Sequence, residues 1–128
     1  MKDNTRPINV GISDLLGFAW PIPALVSITH RIAGVVLFVG VGFGLFALDL
    51  SLSSEADFDR LSSMMTSPLG KFITWGLLAG LAYHFVAGIK HLLMDMGVGE
   101  TLEGAKFGAQ LTIFFSAILM VLAAIWIV

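Results

Sequence analysis

His84, His91 and Asp95 stand in the stretch HFVAGIKHLLMD, residues 84–95, within a run that is otherwise apolar. At about 100° per residue, positions seven apart are nearly eclipsed, so His84 and His91 lie two turns apart on one helix face. Asp95, eleven residues from His84, falls about 20° from that face. An imidazole in lipid needs a partner. Three roles suit His84: an axial ligand of a haem iron, a proton relay, or a hydrogen-bonded packing residue. Gly76, Gly80, His84 and Gly88 recur every four residues. Small residues at that spacing let a second helix, or a flat ring, approach the backbone closely. Plain helix packing accounts for Gly76 and Gly80. His84 and His91 share one helix face and cannot clamp an iron from opposite sides, so a bis-histidine haem would take its other ligand from another helix.

A second polar group is SITHRIAG, residues 27–34. Ser27 and Arg31 are four apart and share a face, with His30 bordering them. Arg31 keeps its proton and demands an anion or a strong acceptor. Haem propionates or a quinone carbonyl would serve, and so would headgroup phosphates reached by snorkelling. Counted from Ile22, the group is expected one to two turns into the membrane, closer in depth to His91 than to His84. Lys90 is expected to snorkel to headgroups, and Asp95 to sit at the membrane surface.

The elements that must hold these residues follow from hydropathy. The 128-residue chain is 57% hydrophobic and 12% charged, with a mean hydropathy of +0.92. Soluble domains carry about 25% charged residues, so a chain this poor in charge cannot coat a globule with polar surface. A spanning helix needs about 20 mostly apolar residues. Three stretches qualify: about 22–50, opened by Pro21 and Pro23; about 69–96, with Ser67 and Pro68 as its start signal; and about 105–128. The expected fold is all-α, a single membrane-anchor domain over 1–128 with three transmembrane helices. Residues 51–68 read as a polar link and 97–104, GVGETLEG, as a short loop. Residues 1–20 form an expected cytoplasmic segment, in which GISDLLGFAW suits a short interfacial helix with Trp20 at headgroup level.

Lys2, Arg6, Lys90 and Lys106 flank one side of the spans, and Arg60 and Lys71 the other. The excess of basic residues predicts N-terminus in, C-terminus out. The net charge of −2 without a basic stripe offers nothing to nucleic acid. The absence of cysteine removes disulfides, thiolate metal sites and iron–sulfur clusters held by this chain. There is no Gly-rich phosphate loop. MKDNTRPINV has no signal-peptide pattern and is too short and acidic for a transit peptide, which predicts a bacterial chain starting near Met1.

The two polar stretches resemble the cytochrome b anchor subunit of succinate:quinone oxidoreductase, respiratory complex II. The first family motif runs Ser, two residues, His-Arg, one residue, then Ser or Thr; here it is SITHRIA, with Ala33 at the hydroxyl position and the usual upstream Arg-Pro at Arg6-Pro7. The second is HFVAGIKHLLMDMG, with Lys90 in place of arginine. The resemblance implies that His84 is the axial ligand of one haem b, whose second ligand is a histidine of a smaller membrane subunit. It implies a quinone site formed in part by Ser27 and Arg31, with His30 and Arg31 close to the haem propionates. His91 and Asp95 would lie near the propionate and quinone region. The implied partners are a flavoprotein, an iron–sulfur protein and the second small anchor, in a bacterial cytoplasmic membrane. Succinate:quinone reduction is the implied activity. Alternatives are the anchor of a quinol:fumarate reductase, a structural anchor without haem, and a small transporter subunit. The transporter would need an ionisable path to the outer side, and the third span offers none.

Overall fold

The computed structural model describes residues 11–127. Lys2, Arg6 and Pro7 lie outside the described residues. Among the described residues five helices follow one another: α1 (Ile12–Gly17), α2 (Ile22–Ser53), α3 (Glu55–Thr66), α4 (Pro68–Asp95) and α5 (Leu102–Ile127). No strand occurs among the described residues. Helices α2, α4 and α5 are each long and apolar enough to cross a membrane, in agreement with the three expected spans.

Local chemistry sets the ends. The Gly11 N–H donates to the Asp14 carboxylate at the start of α1, and the Trp20 indole N–H donates back to the Leu15 carbonyl. α2 starts on Pro21 and Pro23, where a missing N–H costs nothing. It runs on to Ser53, three residues beyond the expected end. The Ser51 and Ser53 hydroxyls donate to the Leu48 and Asp49 carbonyls, so serines that read as loop residues close the helix instead. The expected polar link contains a helix, α3. Ser54 caps it by accepting the Asp57 N–H, and Glu55 and Asp57 complement the N-terminal dipole. Ser67 accepts the Gly70 N–H and opens α4 at Pro68.

α4 ends in a Schellman turn. Gly97 has φ +85°, its N–H donates to the Met94 carbonyl, and the Val98 N–H donates to Leu93. A left-handed residue there favours glycine. Thr101 then caps Gly104, so α5 begins at Leu102 and not at Ala105.

Little of the chain is buried within itself. Val26, Ala87 and Ala109 form a small core, with Tyr83 packed against it. Phe38, Phe43 and Phe46 on α2 and Trp126 on α5 point outward, each more than three-fifths exposed. In water this would be untenable, whereas lipid is the natural neighbour of such faces. α2 and α4 run antiparallel: Leu37 lies against Gly80, and Leu77 against Gly40. The close approach on this seam comes from α2. A Cβ on Gly40 would stand 2.8 Å from a Leu77 methyl, whereas one on Gly76 would meet nothing within 4 Å. Within this chain the close packing on the seam is made at Gly40, because periodicity shows which residues share a face but not what they face.

Candidate functional site

The α2–α4 register decides which polar residues meet. With residues 37 and 40 opposite 80 and 77, position 30 comes level with about position 87. His30 therefore sits between His84 and His91. Its ring stacks on His84 with centroids 4.1 Å apart and planes 18° from parallel. The His30–His91 centroid distance is 5.0 Å. His30 thus comes level between the two histidines, while the same register sets Ser27 level with about position 90, beside His91 as expected for that stretch.

The His84 Nδ1 is 3.1 Å from the backbone carbonyl oxygen of His30. A carbonyl only accepts, so Nδ1 carries the ring proton. Nε2 then holds a lone pair and makes no hydrogen bond among the described residues. Fixing one ring nitrogen by a backbone carbonyl sets the tautomer and orientation of a metal-ligating imidazole. Gly34 makes the approach possible: a Cβ there would stand 3.0 Å from His84 Cε1. The His30 Nε2 is buried with no hydrogen-bond partner. Such an atom in a folded chain calls for a partner from outside it. A Cβ on Gly88 would lie 3.7 Å from that atom, so Gly88 borders His30 rather than only the space beside His84.

Tyr83, the chain's single tyrosine, ties the two helices one residue before His84. Its hydroxyl donates to the Val26 carbonyl at 3.0 Å and contacts the Thr29 hydroxyl. Thr29 also donates to the Leu25 carbonyl at 2.7 Å. Sequence reasoning missed this clasp; its one signal was a tyrosine beside a mid-span histidine, opposite the SITHR stretch.

Ser27 is half-buried and Arg31 is exposed. Neither side chain makes a hydrogen bond or ion pair among the described residues. Arg31 lies within electrostatic reach of His30 and His91. Asp95 is exposed at the last residue of α4, one turn beyond His91 on the same face. The stem of Lys90 is enclosed by protein. The residue is 9% exposed and packs against α5, where a Cβ on Gly108 would meet its Cγ at 3.5 Å. One residue from His91 is about 100° of rotation, so Lys90 faces α5 while His91 faces α2.

The arrangement offers one imidazole nitrogen with a free lone pair, a second imidazole nitrogen without a partner, and an uncompensated guanidinium. A single axial donor, with an unpartnered imidazole nitrogen and a guanidinium beside it, suits a haem and its carboxylates. No group of three side chains able to hold a bare metal ion occurs among the described residues.

Residues 3–123 match a family model described as succinate dehydrogenase/fumarate reductase transmembrane subunit. The chain is 34% identical over 123 residues to a succinate dehydrogenase cytochrome b556 subunit of Coxiella burnetii, covering 95% of this chain and 96% of that one. It is 34% identical over 105 residues to the cytochrome b556 subunit of Paracoccus denitrificans, covering 82% and 81%. The mitochondrial cytochrome b560 subunit of Sus scrofa is 36% identical over 101 residues, covering 77% of this chain and 58% of that one.

Proposed function

The chain belongs to the succinate dehydrogenase/fumarate reductase transmembrane subunit family, and from that premise we propose that it is the part of a succinate:quinone oxidoreductase that holds a haem b and helps build the quinone site. It is a multi-pass membrane protein, and membership in this family implies a complex with other subunits. The proposed partners are a flavoprotein, an iron–sulfur protein and a second small anchor that donates the other haem ligand. The proposed setting is the bacterial cytoplasmic membrane, with the N-terminus inside and the C-terminus in the periplasm.

The hydrogen bond from His84 Nδ1 to the His30 carbonyl carries this reading. It leaves Nε2 as a pre-oriented donor, which is what an axial ligand requires. The buried, unpartnered His30 Nε2 and Arg31 suit the carboxylates that a haem carries. His91 and Asp95 extend the polar line from there toward the end of α4. A bound haem b would supply reversible one-electron transfer.

Ser27 and Arg31 would receive the quinone. The hydroxyl would donate to a carbonyl oxygen, and the guanidinium would favour the negative charge that grows there as electrons arrive. Two electrons from succinate and two protons from the cytoplasmic side convert the quinone to quinol. The family description covers both succinate dehydrogenase and fumarate reductase, so rates measured in both directions on the purified complex assign the physiological one. The reading is tested by His84→Leu: the b-type reduced-minus-oxidised spectrum should vanish from the assembled complex, and an unchanged spectrum would refute the ligand assignment.

A further inference from the structure

A groove of about 360 Å³ lies between α4 and α5, on a different face of α4 from the histidines. Leu93, Val98, Phe107, Leu111 and Phe115 line it. Its polar lining comes from Lys90 and Thr112. The Thr112 hydroxyl is already committed, donating to the Gly108 carbonyl at 2.8 Å. Lys90 is not. It is nine-tenths buried, and no carboxylate or carbonyl among the described residues accepts from its ammonium. The stem is enclosed, the ammonium is not among the fully buried side-chain atoms, and with no acceptor from the described residues it offers an anion an unpaired cation at the groove.

Depth narrows the anion's identity. α4 has 28 residues, about 42 Å of helix against a hydrocarbon core of about 30 Å. A centred helix overhangs by about 6 Å at each end. Lys90 is five residues, about 7.5 Å, from the C-terminal end, which sets it at the boundary between acyl chains and headgroups. The groove is apolar and far too small for a helix about 10 Å across. Its volume falls at the low end of small-ligand sites, about 300–1,000 Å³.

We propose that this groove is a phospholipid site, in which an acyl chain lies between α4 and α5 and the phosphate of an anionic headgroup takes Lys90 as its counter-ion. The site is independent of the haem and quinone reading. It makes α4 a helix with two functions on two faces. The lone cation selects a lipid with net negative charge over a zwitterionic one. An anionic headgroup neutralises the ammonium, whereas a choline phosphate brings its own cation.

The test uses the whole purified complex in nanodiscs of mixed phosphatidylglycerol and phosphatidylcholine, with retained lipid counted by native mass spectrometry. Phosphatidylglycerol should be enriched over phosphatidylcholine in the wild type. Lys90→Met should lower that enrichment about tenfold, the size expected for losing one charged hydrogen bond, and Lys90→Arg should keep it. Equal retention of the two lipids, or an enrichment unmoved by Lys90→Met, overturns the proposal. If Lys90→Met does not assemble, Val98→Phe narrows the groove with the charge intact. It should reduce bound phosphatidylglycerol, and undiminished binding overturns the proposal. A photoreactive residue replacing Phe107 that cross-links to another subunit overturns it too, since the occupant is then protein.

Discussion

The imidazole of His84 lies against that of His30 at 4.1 Å while its Nδ1 bonds the His30 backbone carbonyl. One residue of α2 therefore controls both the tilt and the tautomer of a residue on α4. The pair sits where α2 and α4 approach over Gly34.

Gly34→Val should disturb the His84 ring without removing it. A Cβ at position 34 would stand 3.0 Å from His84 Cε1, and overpacking of this kind costs about 1–3 kcal/mol. Haem content of the purified complex should fall, with Gly34→Ala falling less. Full haem occupancy in both variants would show that the ring needs no such seat.

His30→Ala should act differently from His84→Leu. The backbone carbonyl that orients His84 survives the substitution, so ligation should persist. The buried, unpartnered Nε2 is lost, and the midpoint potential of the haem should shift. A variant with no haem at all would mean that the stacked ring itself holds the site together.

Arg31→Ala should depress quinone reduction by at least tenfold while succinate oxidation with an artificial acceptor continues. The loss reflects one charged hydrogen bond to the developing oxygen charge. Arg31→Lys should recover part of the rate, since an ammonium keeps the charge but not the planar fork. Equal loss of both activities in an intact complex would remove Arg31 from the quinone site.

Tyr83→Phe removes a hydroxyl that joins α4 to the Val26 carbonyl. The expected cost is about 1 kcal/mol, read as a lower melting temperature of the complex in detergent. Because Thr29 and Val26 flank Ser27, KM for the quinone should rise while the haem spectrum stays. A raised KM with normal melting would place the hydroxyl in substrate contact instead of helix tethering.

Much of the architecture is legible in the sequence. Three long apolar runs can only be spanning helices, because lipid leaves backbone polar groups no other partner. The pairing of SITHR with HFVAGIKH was legible as well, since ionisable residues are scarce in such runs and each one stands out. Helix α3 was less visible: its twelve residues carry a modest apolar stripe, Phe58, Leu61 and Met65, inside a stretch whose polar composition reads as a link.

What the sequence alone determined is the angular order of residues around each helix, because 3.6 residues per turn is a property of the backbone. It separated Lys90 from His91 by about 100° and aligned His84 with His91. It could not say which neighbour occupies each direction. That depends on the antiparallel register of α2 on α4, set by side chains far apart in the chain such as Leu77 against Gly40. Only that register brought His30 between the two histidines of α4, and only the position of α5 enclosed Lys90.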